Sequence, residues 1–320
     1  MRNLVQKIDN LLPLIGHTPV IDLAHSRIKL LTKLEFHNLT GSIKDRPAFY
    51  ALRRAIENGE VSRDTVIVES SSGNFASSLA QICHYLGIKF IPVVDPNISR
   101  LNLSFLKSFC AEVIMVNERD TSGGFLCNRI RRVRQIVDSS PNCYWINQYE
   151  NPWCAEAHYV NTASEILDCG YELDYLFIGV SSGGTLNGIS RGVKEKSPKT
   201  KIVAVDIEGS MIFQSVPKPR FIPGMGSSMR PRLLEGCNID EVVHISESDA
   251  VKGCRTLRNQ HGVLAGGSSG AVFSAIESYF HNFHEATGAN VMFLCPDRGT
   301  AYLDTVYNDE WVLSKGLTLK

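Results

Sequence analysis

The 320-residue sequence contains no apolar run that approaches the ~20 residues a helix needs to cross a bilayer. Its first residues lack the continuous apolar core and the small-residue cleavage site of a signal peptide. Lysine plus arginine equals aspartate plus glutamate at 33 each, so the chain lacks the basic surplus that a nucleic-acid-binding surface leaves. These absences predict a cytoplasmic protein without a membrane or nucleic-acid partner.

Cysteine patterns typical of disulfides or metal sites are also missing. The nine cysteines are scattered, their number is odd, and no two of them form a Cys-x-x-Cys pair. We therefore expect reduced thiols and no zinc or other metal site. The chain also lacks the Gly-Lys-Ser/Thr of a Walker loop and the G-x-G-x-x-G of a dinucleotide fingerprint, which argues against a nucleotide-binding protein.

The sequence does contain a regular alternation of short β-branched runs and longer amphipathic segments. The short runs are nearly all apolar, as in strands covered by helices on both faces. This alternation favours right-handed crossovers, so we predict an α/β fold of two open, mostly parallel, three-layer αβα lobes. The predicted strands are 66–69, 90–94, 113–116, 144–146, 175–178, 202–205, 242–245 and 291–294, and the predicted helices are 46–58, 74–86, 99–109, 123–137, 158–168, 185–196, 248–260 and 269–286.

A lysine lies on a tight turn just before the first of these helices. Gly41 and Ser42 permit the turn, and Pro47 suits an early helical position. A lysine before a helix is usually a solvated surface residue. Lys44 is instead fixed by its turn, which suits an amine that must reach a carbonyl group.

Three other polar segments lie where strands end or helices begin, which is where open α/β sheets bind ligands. Ser71, Ser72 and Asn74 offer hydroxyls and free backbone N–H groups, which suits either a carboxylate or an ordinary helix cap. The run 181–185 has the two adjacent glycines and the hydroxyls of a phosphate-binding loop. Ser268 begins a further long helix. Together with Lys44, these segments describe one ligand that carries an aldehyde, a phosphate and a ring heteroatom.

Five short motifs occur in order along the chain: Ile15-Gly16-His17-Thr18-Pro19, Ser42-x-Lys44-Asp45-Arg46, Ser72-Gly73-Asn74, Gly183-Gly184-Thr185 and Gly267-Ser268-Ser269-Gly270. They resemble the cysteine synthase family of pyridoxal 5′-phosphate (PLP) enzymes over residues 12–305. The resemblance implies the fold type II architecture, with PLP in the cleft between two lobes, and a homodimer. It also implies a smaller mobile N-terminal lobe at 36–148 and a larger lobe made of 1–35 and 149–320.

The resemblance implies a role for each motif. Lys44 would form the Schiff base with PLP and act as the catalytic base. Asn74 would bond the ring 3′-oxygen, and Ser268 would meet the pyridine nitrogen. The substrate carboxylate would be bound by Ser71, Ser72 and Gln148, and the phosphate of PLP by Ser181, Ser182, Gly183, Gly184 and Thr185.

Segments 94–99, 144–149 and 296–304 are similar to one subgroup of this family. That subgroup joins O-phospho-L-serine and L-glutamate into N-(2-amino-2-carboxyethyl)-L-glutamate, on the way to 2,3-diaminopropionate for siderophores and peptide antibiotics. In it, residues at positions matching Arg129, Tyr149 and Ser182 recognise substrate. Arg129 would be the cation that a phosphorylated donor requires, since a guanidinium can grip phosphate oxygens with two parallel hydrogen bonds.

Two other readings compete with this one. Within the family, the chain would be a cysteine synthase that uses O-acetyl-L-serine or O-phosphoserine and sulfide. Outside it, the chain would be a catalytically silent module that keeps PLP structurally, which the intact Lys44, Asn74 and Ser268 argue against.

The sequence departs from the family pattern at three places. Leu39 replaces a proline before the lysine turn, and Phe75-Ala76 replaces Thr-Gly after the carboxylate cradle. Met229 stands where the subgroup is expected to have an arginine. Either Arg230, one position further on, substitutes for it, or the pocket for the second substrate differs.

Overall fold

The computed structural model describes residues 2–120, 123–282 and 287–319. The strands in this part of the chain form one sheet of six strands and one of four. They are β1 (Val20–Leu23), β2 (Lys29–Leu34), β3 (Val66–Ser70), β4 (Lys89–Val94), β5 (Ile114–Met115), β6 (Cys143–Trp145), β7 (Tyr175–Gly179), β8 (Lys201–Ile207), β9 (Glu241–Ile245) and β10 (Asn290–Cys295).

Both sheets are mostly parallel. The larger has the order β1-β2-β10-β7-β8-β9 and the smaller has the order β5-β4-β3-β6. Neighbouring strands run parallel in every pair except β1 with β2. All eight predicted strands are present, and the predicted α/β fold is confirmed.

Helices cover both faces of the larger sheet. On β8, Val203 and Val205 pack into one apolar core, whereas Ile202 and Ala204 pack into another. No helix in the described part of the chain is both long and apolar enough to pass through a bilayer. The helices are α1 (Arg2–Asp9), α2 (Asp45–Glu57), α3 (Asn74–Leu86), α4 (Arg100–Phe109), α5 (Leu126–Ser139), α6 (Pro152–Ala157), α7 (Ala163–Leu167), α8 (Gly184–Lys196), α9 (Glu247–His261), α10 (Gly267–Asn282) and α11 (Asp309–Ser314).

Several elements differ from the prediction. The antiparallel pair β1 and β2 was not predicted, nor were α1 and α11. The predicted helix 158–168 begins earlier, at Pro152, because the Asn151 side chain accepts a hydrogen bond from the Trp153 N–H at 3.0 Å and caps it. A π-helical segment, His158–Thr162, then separates α6 from α7. Residues 283–286 of the predicted helix 269–286 lie outside the described residues.

The smaller sheet uses strands between residues 66 and 145 only. These strands fall inside the predicted lobe at 36–148. The bounds and the mobility of that lobe stay a prediction.

Candidate active site

A cleft of about 790 Å³ is bounded by loops that follow β3, β4 and β7. These loops lie at the carboxyl ends of parallel strands, where open α/β sheets bind ligands. The predicted site residues that line this cleft are Lys44, Ser71, Ser72, Asn74, Arg129, Gln148, Tyr149 and Ser181.

A second, smaller cavity contacts the start of α8. Lys44 and Gln148 line both spaces, so the two belong to one site. Ser182, Gly184 and Thr185 line only the smaller one. The structure therefore brings the predicted amine, carboxylate cradle and phosphate loop together.

Lys44 lies on the tight turn that the sequence predicts. Gly41 has a φ of 90°, which favours glycine, and the Ser42 hydroxyl accepts the Lys44 N–H at 3.3 Å. The neighbouring Ile43 N–H donates to the Pro296 carbonyl at 2.7 Å, which ties the turn to the end of β10. Burial lowers the pKa of the Lys44 amine. A larger share of this amine is therefore the neutral nucleophile at neutral pH.

A buried ion-pair network fixes the helix that follows Lys44. Arg46 is 1% exposed and donates through Nε to Glu35 Oε2 at 2.7 Å. Its Nη1 donates to Glu165 Oε1 at 2.6 Å, and Lys33 Nζ pairs with Glu165 Oε2 at 2.7 Å. Lys33 lies on β2 of the larger sheet, and Glu35 directly follows that strand. The network therefore fixes the start of α2 to the larger sheet.

The serines of the carboxylate cradle are partly engaged by the protein itself. Ser71 Oγ accepts from the N–H groups of Gly73 and Ala76, both at 3.3 Å, and so helps to cap α3. Ser72 Oγ donates to Asp95 Oδ2 at 3.0 Å. Ser71 therefore has the helix-cap role considered for this segment, and it also lines the cleft.

Arg129 is paired inside the cleft and is not a free cation. Its Nε lies 3.2 Å from Asp95 Oδ2, and its Nη1 donates to Ser72 Oγ at 3.2 Å. The two charged side chains are 11% and 9% exposed. Asp95 already compensates the positive charge of Arg129, which the sequence analysis assigns to binding of the donor phosphate. Asp95 comes from the loop after β4 and entered the sequence analysis only within the resemblance of segment 94–99, without a role.

Gln148 and Tyr149 converge on the end of β3. Gln148 Nε2 and the Tyr149 hydroxyl both donate to the Ser70 carbonyl, at 3.3 Å and 3.4 Å. The backbone turns into this position at Asn147, whose φ is 58°. Both side chains therefore lie beside the Ser71–Ser72 cradle and line the cleft.

Glu69 supports this wall from inside the smaller sheet. It is fully buried, and its Oε1 accepts from the Ser70 N–H at 2.8 Å and from Trp145 Nε1 at 3.1 Å. Burial raises the pKa of Glu69 to about 7 in spite of these donors. The folded protein thus binds this proton more tightly than the unfolded chain does.

We expect Glu69→Gln to remove a pH dependence of stability. The pKa of Glu69 rises from its ordinary value of 4.5 to about 7 on folding. The stabilisation by the bound proton is complete below pH 4.5 and is lost as the pH rises to 7, by up to about 3 kcal/mol. Urea unfolding at pH 5 and pH 7.5 measures this loss. The wild type should lose more stability than Glu69→Gln, and an exposed control, Glu310→Gln, should follow the wild type.

The predicted phosphate loop has the shape of an anion cradle. Gly183 precedes α8 with a φ of 87°, so the chain turns sharply into the helix N-terminus. Thr185 Oγ1 lies 3.2 Å from His158 Nε2, and His158 Nδ1 lies 2.9 Å from Thr162 Oγ1. Burial and the nearby Lys44 amine lower the pKa of His158 well below its usual value, which keeps this ring neutral.

Asn74 is held by a buried aspartate. Its Nδ2 donates to Asp297 Oδ2 at 2.7 Å, and the Tyr302 hydroxyl donates to the same oxygen at 2.7 Å. An asparagine amide has two N–H hydrogens, so one is left for a ligand oxygen. The sequence drew attention to Asp297 and Tyr302 only through the resemblance of segment 296–304, and gave them no role.

Ser268 does not line the cleft, unlike most of the predicted residues. It is 5% exposed, in the first turn of α10. The preceding Gly266 N–H donates to the Asp297 carbonyl at 3.0 Å, which links the start of α10 to the residue that holds Asn74.

Basic residues outnumber carboxylates in the described lining of the cleft, although the chain as a whole is neutral. Among the described residues that line it, Asp95 is the one carboxylate. The basic residues that line it are Lys44, Arg119, Arg129, Lys218 and Arg220. Such a cleft attracts anionic ligands and raises their rate of encounter. The equal numbers of acidic and basic residues in the whole sequence give no indication of this local excess of basic residues.

Known proteins resemble this chain over almost its whole length. A family model described as "Pyridoxal-phosphate dependent enzyme" matches residues 11–297. The chain is 43% identical over 303 residues to N-(2-amino-2-carboxyethyl)-L-glutamate synthase from Ralstonia nicotianae, a match that covers 93% of this chain and 89% of the relative.

Solved structures give a consistent result. The O-acetylserine dependent cystathionine beta-synthase from Helicobacter pylori has a TM-score of 0.85 and 29% identity, covering 93% of this chain and 98% of its own. A hydrogen sulfide-producing enzyme from Fusobacterium nucleatum also has a TM-score of 0.85 and 29% identity, covering 92% and 99%. The fold type II architecture implied by the sequence motifs is confirmed.

Proposed function

Because the chain belongs to the family of pyridoxal-phosphate dependent enzymes, we propose that its β-replacement reaction joins O-phospho-L-serine and L-glutamate. The product would be N-(2-amino-2-carboxyethyl)-L-glutamate. A relative that is 43% identical carries the name of the synthase of this compound, which supports the substrate pair.

The residues present fit PLP. The lowered pKa of Lys44 suits an amine that must attack the cofactor aldehyde. The start of α8 suits the cofactor phosphate, and the free amide hydrogen of Asn74 suits an oxygen on the ring. When bound, PLP supplies the electron sink that stabilises negative charge at the substrate Cα.

The protein's own groups carry out the remaining tasks. Lys44 is the base placed to move the proton at the substrate Cα, and its burial keeps it able to accept one. Ser71, Ser72 and Gln148 bind the substrate carboxylate at the end of β3. Ser268, in the first turn of α10, would offer a neutral hydroxyl to the pyridine nitrogen. A neutral hydroxyl cannot hold that nitrogen protonated as a carboxylate would, which favours β-elimination over transamination.

The charge of the cleft is the observation that carries the substrate assignment. Of the five basic residues in its described lining, Arg129 and Lys218 pair with carboxylates, whereas Arg220 has no carboxylate oxygen within 4.0 Å among the described residues. O-phosphoserine and glutamate are both anions, and desolvating them in a neutral cleft would be costly. O-acetylserine is a neutral zwitterion and hydrosulfide a small monoanion, so this pair brings less negative charge into the cleft.

A cysteine synthase that uses O-acetylserine or O-phosphoserine and sulfide is the second candidate. It is favoured by the O-acetylserine dependent structure at 29% identity. Steady-state kinetics with both donors, each paired with glutamate and with sulfide, separates the two. We expect the highest kcat/KM with O-phosphoserine and glutamate. A higher kcat/KM for either donor with sulfide would overturn the proposal.

We expect Arg129→Ala to raise the KM for both donors. Arg129 holds Ser72 by a hydrogen bond, and its removal leaves the buried Asp95 without its ion pair. A lost hydrogen bond to a charged group costs about 1.5–3 kcal/mol, or roughly one to two powers of ten in kcat/KM. The control is Arg131→Ala on the exposed side of the same helix, where Arg131 donates to Asn128 at 2.8 Å. If the variant lost turnover of O-phosphoserine but not of O-acetylserine, Arg129 would instead be the cation that binds the donor phosphate.

A further inference from the structure

Arg220 is a half-buried cation that lines the cleft. Its Nη1 donates to the Met225 carbonyl at 3.2 Å and its Nη2 to the Ser228 hydroxyl at 3.4 Å. Both acceptors are neutral. Within residues 2–120, 123–282 and 287–319, no carboxylate oxygen lies within 4.0 Å of its guanidinium nitrogens.

Two carboxylates attract Arg220 electrostatically, and each of them accepts hydrogen bonds from backbone N–H groups. Glu247 Oε1 accepts from the N–H groups of Phe221 and Ile222, both at 2.7 Å. Asp206 Oδ1 accepts from the Ile207 N–H at 2.8 Å. Both attract Arg220 without touching it, and burial lowers the pKa of Arg220 in spite of them. A partly desolvated guanidinium of this kind is stabilised by an anion that reaches it.

The segment that holds Arg220 is attached to the PLP phosphate loop. The Gly226 N–H donates to the Val180 carbonyl at 2.8 Å, and Ser181 Oγ donates to the Gly226 carbonyl at 3.1 Å. Met225, which accepts from Arg220, directly precedes Gly226. This segment therefore joins Arg220 to the part of the cleft wall that carries Ser181.

The other basic residues near this wall differ from Arg220. Lys218 pairs with Glu208 at 3.0 Å and is 59% exposed. Arg230, the alternative cation that the sequence suggests, is exposed, donates to the Ile212 carbonyl at 3.1 Å and does not line the cleft. Arg129 is paired with Asp95.

We propose that Arg220 and Ser228 form a subsite for an anionic group of a substrate, either the phosphate of the donor or a carboxylate of the second amino acid. This inference rests on the proposed function for the identity of those substrates. Both groups present oxygens that a planar guanidinium can grip with two parallel hydrogen bonds. The remaining N–H groups of Arg220 are the donors for them.

Binding of inorganic phosphate and of glutarate to the PLP-loaded full chain tests the subsite without turnover. Titration calorimetry should show binding of at least one probe to the wild type. Arg220→Gln should weaken that binding by roughly 10- to 100-fold, because a hydrogen-bonded charge is lost. The control Arg230→Gln should bind as the wild type does.

Kinetics separates the two sources of the anion. A donor-phosphate subsite predicts that Arg220→Gln weakens binding of O-phosphoserine in the absence of the second substrate. A carboxylate subsite predicts unchanged donor binding and a raised KM for glutamate, with kcat changed less. Should Arg220→Gln fail to fold, Arg220→Lys decides, since it keeps the charge but loses the planar fork. It should weaken probe binding severalfold.

The outcomes separate this inference from the proposed function. Equal binding of both probes by the wild type and the Arg220 variants, or no binding of either probe by the wild type, overturns the subsite. An equal loss in Arg230→Gln overturns it as well. If Arg220 controls probe binding but the wild type makes no product from O-phosphoserine and glutamate, the subsite stands and the substrate pair is wrong.

Discussion

Lys44→Ala is expected to abolish covalent attachment of PLP and to lower kcat by at least the roughly 10²- to 10⁴-fold that a positioned base supplies. Among the described lysines, Lys44 alone lines both the cleft and the cavity beside α8. Burial lowers its pKa, so no other described lysine is as well prepared to attack an aldehyde or to accept a proton there.

The absorbance of the purified protein in the near-visible region and its mass after borohydride reduction measure the attachment. The control is Lys89→Ala at the start of β4, where the side chain is 52% exposed and pairs with Glu112. That variant should keep both the absorbance and the activity. An unchanged spectrum and full turnover in Lys44→Ala would remove the catalytic assignment.

Arg46→Ala is expected to give the largest loss of stability. Its guanidinium is 1% exposed and pairs with Glu35, which is fully buried, and with Glu165. Removal of one partner from a buried ion pair leaves uncompensated charge and costs about 3–5 kcal/mol. Because the pKa of Glu165 is held at about 2 largely by Arg46 and Lys33, its carboxylate stays charged in the wild type at neutral pH.

Urea unfolding at a fixed, saturating concentration of PLP measures this loss. The matched control is Arg53→Ala on the same helix, whose side chain is 27% exposed and pairs with Asp9 at 2.6 Å and with Glu57. Exposed ion pairs contribute about 0–1 kcal/mol, so this variant should unfold close to the wild type. Similar losses in the two variants would contradict the structural role given to Arg46.

The strands could be predicted where their residues are uniformly apolar. The prediction missed β1 and β2, which carry charged residues. Runs such as 202–205 and 291–294 are buried on both faces and were recognised as strands. Strand β2 carries Lys33, which is 1% exposed because it pairs with Glu165, far away in the sequence. The local hydrophobic pattern cannot show that a charged residue is buried when its ion-pair partner lies in a distant segment.

The candidate site was predictable as separate segments, because turns and helix starts have local sequence signals. Contacts between side chains of different segments have no such local sequence signal. Asn74 and Asp297 lie 223 positions apart, and their hydrogen bond could not be read from either segment. The pairing of Arg129 with Asp95 could likewise not be predicted from the helix that carries Arg129. Arg220 has no sequence signal, since its role depends on the fact that no carboxylate of the described residues comes within 4.0 Å of it in the folded chain.

The bond between the donor Cβ and the amine nitrogen of glutamate is the most direct test of the proposed function. The protein should be incubated with O-phosphoserine labelled with ¹³C at Cβ and with ¹⁵N-labelled glutamate, and the product examined by NMR. We expect a one-bond coupling between ¹³C and ¹⁵N together with the release of phosphate, and neither with Lys44→Ala. Phosphate release from a turning-over enzyme without a coupled product, or a product that forms only when sulfide is added, would contradict the proposed function.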